Sequence, residues 1–339
     1  MVVTVYDVAQ ATGLSIASVS RALNARPGVS AATSARVMRT AADLGYRPNE
    51  VARSLVAKKT QTLALLVPDI TNPFFPELVK GVQSVADESD QLLLLLDAPS
   101  EPDRLAQRLA ALHRKQVDGV ILVASELPAA TGDVFDGMPG VFLDRAGSGG
   151  APSVHVDQEH AAYLATRHVI QKGHSRIAHI QGPVNLTVSA LRRSGWERAC
   201  NEAGIASGDN RVFPGDFLEA GGHRAMERIL DAADGTTAVF AANDLSAIGA
   251  LACCASRGIR VPHDMSIIGF DGIELARYTS PALTTVAQPI RELGEQACAL
   301  LLRRIAGEPA DDIVLEASIS HGGTVREWSG RADESSGGV

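Results

Sequence analysis

Aromatic residues make up only 4% of this 339-residue chain, so an aromatic side chain in any cleft carries weight. Cysteine is as scarce. Cys200, Cys253, Cys254 and Cys298 show neither a C-x-x-C spacing nor a paired pattern, which argues against a disulfide scaffold and for a reduced, cytosolic protein. Long hydrophobic runs are missing. The run LLLLL at 92–96 is far too short to span a bilayer and reads as a buried strand. The opening MVVTVYDVAQ has no basic stretch followed by an apolar one, so it does not read as a secretory signal. The expectation is a soluble cytoplasmic protein with no membrane partner. Catalytic signatures are missing too: no G-x-G-x-x-G, no G-x-x-x-x-G-K-[ST] and no G-x-S-x-G occurs. No internal repeat is found.

What is there is globular, with 45% hydrophobic and 21% charged residues, and long enough for two or three domains. Charge is unevenly spread. Residues 1–60 carry eight basic side chains (Arg21, Arg26, Arg36, Arg39, Arg47, Arg53, Lys58, Lys59) against Asp7, Asp43 and Glu50, a net +5. The chain totals −8, which leaves −13 for the remainder. A basic head on an acidic body suggests a polyanion met by the head alone; charge by itself leaves a merely solvated face equally open.

Three short helices fit the first 46 residues. Thr4, with Asp7 three positions on, resembles a capping pair opening a helix through about Ala11. Gly13-Leu14 makes a turn, and Ser15 caps a second helix that turns Val19 and Leu23 inward. Ser30 opens a third, with Val37, Ala41 and Leu44 on one stripe, closed by Gly45 and Pro48. Asn49 then caps a very short segment, EVARSLVA, ahead of the charged linker KKT. From Thr62 the texture changes. The runs TLALLVPD, QLLLLLDA, DGVILVAS, PGVFLDR, SRIAHIQG, TAVFAAND and MSIIGFD alternate with helical stretches, the pattern of parallel sheets covered on both faces. Roughly 270 residues of it suit two α/β lobes. AGSGGAPS at 146–153 reads as a connection, and the tail after Trp328 has the composition of a disordered end.

The stretch GLSIASVSRALN has helix-turn-helix spacing, in which the second helix enters the DNA major groove N-terminus first. Ile16, Ala17 and Ser18 supply a small, unencumbered leading edge. Arg21, one turn on, reaches a guanine edge, while Ser20 and Asn24 suit phosphates. Taken alone, that spacing fits a purely structural three-helix cap as well.

The longer pattern is more specific. TVYDVAQATGLSIASVSRALN, GYRPNEVARSL, TLALLVPDITNPFF, FLDR, QKGHSRIAHIQGP, LRRSGW, FAANDLSAIGAL, VPHDMSIIGFDG and YTSPALTTVAQP together resemble the lactose-repressor (LacI/GalR) family of bacterial transcription regulators, to about residue 326. The resemblance implies a small all-α helix-turn-helix headpiece (1–47), a hinge helix and linker (48–60), and an α/β body (61–328) before the tail (329–339). The body would be periplasmic-binding-protein-like, two lobes of parallel sheet that exchange chain more than once. The implied partners are a pseudo-palindromic double-stranded DNA operator, a small polar effector of the carbohydrate class, and a second copy in a homodimer or larger assembly. No cofactor, metal or enzymatic activity is implied.

Carried over by position, Ile16, Ala17 and Ser18 match the specificity-setting residues, and Arg21 a base-contacting arginine. Leu55 matches a leucine wedged into the minor groove at the operator centre, and Ala52 the small residue beside it. Thr4, Ser15, Ser20 and Asn24 complete the expected DNA-contacting set. The effector cleft maps onto Phe74, Asp144, Arg192, Phe217, Asn243 and Asp271. Three of these follow the C-terminal ends of apolar strands, where open α/β sheets bind ligands. Arg192 can fork vicinal hydroxyls or a carboxylate, and Phe74 and Phe217 can cover a sugar's apolar face. The chain departs from the family pattern at Ala161, where a glycine is common, and at His321, in place of a basic residue. HVDQEH at 155–160 looks superficially metal-like but reads as a strand end and a helix start, since no further ligands follow at matching spacing. A sugar-binding transport protein would share the body, yet it would need an export signal and would lack the basic head.

Overall fold

Short polar side chains start each described helix of the N-terminal unit. The amide and hydroxyl of Thr4 both donate to Asp7 Oδ2 at 2.7 Å, and α1 runs Val5–Thr12. Ser15 Oγ accepts the Ser18 amide at 3.2 Å and opens α2, Ile16–Leu23. Ser30 Oγ does the same with Thr33 and opens α3, Ala31–Asp43. Glycine ends two of the three. Gly13 and Gly45 adopt φ +64° and +68°, and each is followed by a residue whose amide bonds back five positions, Leu14 to Ala9 O and Tyr46 to Ala41 O. Leu44, expected on the inward stripe of α3, is instead exposed, because α3 stops at Asp43 and the Gly45 turn swings Tyr46 onto the core. That core is Val8, Ala9, Val19, Ala22, Val37 and Ala41.

The computed structural model describes residues 3–24, 27–46, 59–98, 101–123, 134–145 and 150–329. The segment EVARSLVA with Ala52 and Leu55, most of the linker expected at 48–60, residues 146–149 of the glycine-rich connection and the tail from 330 onward lie outside the described residues. The chain divides into two units, 1–60 and 61–339.

In the second unit, the strands β1 (Thr62–Val67), β2 (Leu92–Asp97), β3 (Gly119–Leu122), β4 (Gly140–Leu143) and β5 (Ser153–Val156) build one sheet, joined by β11 (Ile313–Leu315). A second sheet holds β6 (Ile177–Gln181), β7 (Val212–Pro214), β8 (Ala238–Ala241), β9 (Ser266–Asp271), β10 (Thr284–Ala287) and β12 (Ser318–Ser320). The orders are β11-β5-β4-β3-β1-β2 and β12-β10-β9-β8-β6-β7, one strand order twice without a sequence repeat. All pairings are parallel except β10 with β12. Helices α4 (Phe74–Glu88), α5 (Pro102–Arg114) and α10 (Ile290–Ile305) pack on the first sheet. Helices α6 (Gln158–Gln171), α7 (Thr187–Glu202), α8 (Glu219–Ala232) and α9 (Asp244–Ser256) pack on the second. The chain therefore passes between lobes after β5, after β10 and after β11. Helices α4 and α10 touch through glycine: a Cβ on Gly81 would lie 2.1 Å from Arg291 O.

The leucine run is a strand but not a buried one. β2 pairs only with β1 and forms the sheet's edge, so Leu92 is 61% exposed and Leu94 and Leu95 also face out. The buried strand next to it is β1. The short strands β7, β10, β11 and β12 escape the apolar pattern, being three or four residues each.

Candidate ligand cleft and DNA-reading helix

Strand ends that point the same way converge. Asp144 follows β4, Asn243 lies two residues beyond β8, and Asp271 ends β9. Asn243 also caps α9, its Oδ1 accepting the Ser246 amide at 3.0 Å while Nδ2 donates to Phe217 O at 2.9 Å. Three residues here hold a left-handed backbone unusual for side chains with a Cβ: Asp144 at φ +62°, Phe217 at +65° and Asp271 at +116°.

A single polar network lies beneath them. Arg192 on α7 donates from Nε to Gln158 Oε1 at 3.0 Å and from Nη1 to Ala242 O at 2.6 Å, with Nη1 3.3 Å from Asp271 Oδ1. Its guanidinium lies 3.9 Å from the Phe270 ring centre and 5.7 Å from that of Phe217. Gln158 Nε2 donates to Asp144 Oδ1 at 3.0 Å and approaches Gln288 Oε1 at 3.3 Å. Gln288 Nε2 donates to Asp271 Oδ1 at 3.1 Å. Gln158 and Gln288 sit at two of the three lobe crossings, so the network ties the lobes where the chain passes between them. Asp244 underpins it: Oδ2 accepts the amides of Gly272 and Ile273 at 2.8 and 2.9 Å, and Oδ1 the Thr285 hydroxyl at 2.5 Å. That fixes the turn carrying Asp271.

Burial dominates the electrostatics. It raises the Asp144 carboxyl to about 7, with Arg192 opposing and the Asp271 charge adding to the rise. Burial also lifts Asp271, to about 6, against the pull of Arg192 and Gln288. Asp244 is raised by burial first and then by the charge of Asp271.

The cleft above the network has a volume of about 320 Å³, and its wall includes Phe74, Asp144, Arg192, Phe217, Asn243 and Asp271, all six residues expected there. Asp69, Asn72 and Asp216 also line it. Sequence reasoning missed them, and missed Gln158, Gln288 and Asp244. The last three stand within quoted motifs, but their pairings span 14 to 130 positions and leave no local signal.

HVDQEH is a strand end and a helix start. Asp157 Oδ1 caps α6 through the His160 amide at 2.9 Å, and Ser153 Oγ lies 3.1 Å from His155 Nδ1. Among the described residues no group of three His, Cys, Asp or Glu could hold a metal. Ala161 is buried in α6, and His321 lies with its ring 5.1 Å from that of His168.

On the headpiece, Ser15, Ile16, Ala17, Ser20, Arg21 and Asn24 are exposed along α2 and its caps, with Ser18 half-buried beneath its bond to Ser15. Thr4 is exposed at the start of α1. Tyr6, 67% exposed on α1, is an aromatic that sequence reasoning passed over.

Residues 4–49 match the profile of bacterial regulatory proteins of the lacI family, and residues 166–325 that of a periplasmic binding protein-like domain. Catabolite control protein A of Priestia megaterium is 33% identical over 320 residues, covering 93% of this chain and 96% of its own. The chain belongs to the lacI family of bacterial regulatory proteins. This LacI-family regulator is also 36% identical to the HTH-type transcriptional repressor CytR of Escherichia coli K12, over 90% of each chain. Its fold matches that of the lac repressor dimer bound to operator and the anti-inducer ONPF, with a TM-score of 0.88 at 27% identity over 96% of this chain and 100% of that one. A LacI-family regulator from Enterococcus faecium with bound ribose matches at TM-score 0.71 and 31% identity, covering 79% of this chain and 100% of that one. This LacI-family chain is thus a DNA-binding transcriptional regulator with a helix-turn-helix headpiece and an α/β body of two lobes. No described helix is long and apolar enough to cross a membrane.

Proposed function

We propose that this regulator is a repressor whose homodimer holds a pseudo-palindromic operator through its headpieces and yields or gains that hold when a sugar or sugar derivative enters the cleft. One recognition helix reads too few bases for a unique site, which is why a dimer on a two-fold operator is required. Ile16, Ala17 and Ser18 meet base edges, Arg21 a guanine, and Ser20, Asn24, Ser15 and Thr4 the flanking backbone. Leu55, with Ala52 beside it, wedges the central step.

One observation carries the effector half of this reading. Six side chains from separate segments line one cleft, over a network that joins both lobes. A ligand that replaces or completes those bonds has different contacts in the open and closed arrangements, which is what coupling to DNA requires. The ribose complex of the Enterococcus faecium regulator supports the sugar class.

The test is an operator titration followed by fluorescence anisotropy, with and without a panel of sugars and glycosides. Asp271→Ala leaves a ligand hydroxyl unpaired in the cleft, at a cost of about 1–3 kcal/mol or more, so the variant binds operator normally and ignores the effector. A variant that responds at the wild-type effector concentration would show that the cleft is placed wrongly.

A further inference from the structure

Gln158 and Gln288 are 3% and 6% exposed and are not among the residues that line the cleft. Both nevertheless bond to side chains that do. Arg192 Nε can only donate, so it draws the Gln158 oxygen to itself and leaves the Gln158 amide hydrogens for Asp144 Oδ1 and Gln288 Oε1. The Gln288 oxygen is thereby turned to Gln158, and its amide hydrogens to Asp271 Oδ1. The run from Arg192 through Gln158 and Gln288 to Asp271 therefore has one direction. It closes into a ring where Arg192 Nη1 meets the same Asp271 oxygen. Each middle position must accept on one side and donate on the other, which a primary amide does and a methionine of similar length does not.

The members of this ring are fastened to the second lobe. Gln158 stands in the first turn of α6, Arg192 in α7 and Asp271 at the end of β9. Gln288 is tied there too, its backbone amide donating to Asp271 O at 3.0 Å. Asp144 is different. It follows β4 of the first sheet, where its own amide donates to Val154 O at 2.9 Å. The Gln158–Asp144 bond thus runs from one lobe to the other, and a relative movement of the lobes stretches or remakes it. The other two bonds of Gln158 set where its amide lies, so a change at Arg192 or Asp271 reaches Asp144 through it.

We propose that Gln158 and Gln288 are positioning residues that relay the cleft's signal between the lobes, the Gln158–Asp144 bond setting the balance between two lobe arrangements that hold the operator unequally. The inference rests on the cleft being the effector site. A ligand that engages Arg192 and Asp271 acts on both ends of the amide run, and both ends meet at Gln158. Members of one ring fail together, since losing either amide leaves the other without its partner.

Operator binding by the full-length protein, followed by fluorescence anisotropy with no effector added, tests it on a duplex that the wild type selects from a random pool. Gln158→Met and Gln288→Met roughly keep the side-chain volume and remove both amide groups. Each should change operator affinity at least about fivefold and in the same direction, the low end of allosteric coupling. The double variant should differ from the stronger single variant by less than about twofold. Thr324→Val is the control: it removes buried bonds to Ile267 O and from the Thr284 amide, at the ends of β9 and β10 far from Asp271 and Gln288. It should lower the thermal midpoint and leave operator affinity within about twofold of wild type. If a methionine variant does not fold, Gln158→Asn or Gln288→Asn, whose amide cannot reach its partners on a shorter stem, takes its place with the same expectation. Operator affinity unchanged in both single variants, effects that multiply in the double variant, or an equal change in Thr324→Val would overturn the inference. Unchanged operator affinity beside an Asp271→Ala variant deaf to the sugar that moves the wild type sinks the relay and keeps the cleft. An Asp271→Ala variant that still answers that sugar sinks the reading of the cleft itself.

Discussion

In the headpiece, the side chains from Ser15 to Asn24 hang on one eight-residue helix and its caps, whereas the cleft gathers Asp144, Arg192, Asn243 and Asp271 from four distant segments. The bonds that shape the headpiece are local. Ser15 caps through Ser18, and Asn24 Nδ2 reaches back to Ser20 O at 2.8 Å. The bonds that shape the cleft are long-range and interlocked. A reading surface on one helix answers only to its own neighbours, while each side chain of a cleft built from strand ends answers to partners far along the chain. Left-handed backbone at Asp144, Phe217 and Asp271 sharpens the contrast, since such strain persists only when the surroundings over-determine it.

The largest loss is expected at Asp244. Removing its carboxylate in Asp244→Ala orphans the buried Ile273 amide, the part-buried Gly272 amide and the buried Thr285 hydroxyl, and urea unfolding of the body should register a loss of about 3–5 kcal/mol. A loss under about 1 kcal/mol would mean that the turn is held by other contacts. Acid–base linkage gives the next effect. Asp144 and Asp271 hold their protons more tightly folded than unfolded, so between about pH 4 and their folded values of about 7 and about 6 the native state binds more protons. Stability conferred below the unfolded pKa is therefore lost as pH rises through that window, by no more than about 1.4 kcal/mol per pH unit for each carboxyl. The buried His174 and His179, held down at about 4 and about 3, work in the opposite direction, so Asp144 is isolated by difference. The urea midpoint of the wild type relative to Asp144→Asn should fall between about pH 4 and 7.5, and a difference that stays constant would remove Asp144 from the account.

At Arg21 on the headpiece a loss of function is expected without a stability cost. Arg21→Ala should weaken a selected operator by about 1–3 kcal/mol, relax preference at one base pair per half-site and lower the salt dependence, with the thermal midpoint unmoved. Equal operator affinity in variant and wild type would take Arg21 off the DNA. The smallest effect is expected at Ser15→Ala, where loss of one cap costs about 1 kcal/mol in the headpiece alone. Calorimetry should show the effector affinity unchanged in that variant; a shift would mean that the two units share more energy than their separate cores suggest.

Much of this was legible residue by residue. Thr4, Ser15 and Ser30 could be read as caps because the bonds they make lie three positions away. The six cleft positions follow from resemblance to the family, not from pattern, and the structure brings them into one cleft. Gln158 and Gln288 were not read, because nothing in either neighbourhood says that side chains 130 positions apart approach to 3.3 Å.

The helix starts, the alternation of strand and helix, the basic head and the acidic body are written in local chemistry and periodicity. Which strand lies at an edge was settled by packing. LLLLL reads alike in a central or an edge strand, and Leu92, Leu94 and Leu95 are exposed here, where β2 has a single neighbour. Packing also settled that Tyr46 rather than Leu44 closes the headpiece core, a matter of one glycine turn. It also decided how the cleft's charge is balanced. The state of a buried carboxylate depends on what packs around it, and at Asp144, Asp244 and Asp271 those neighbours arrive from distant parts of the chain.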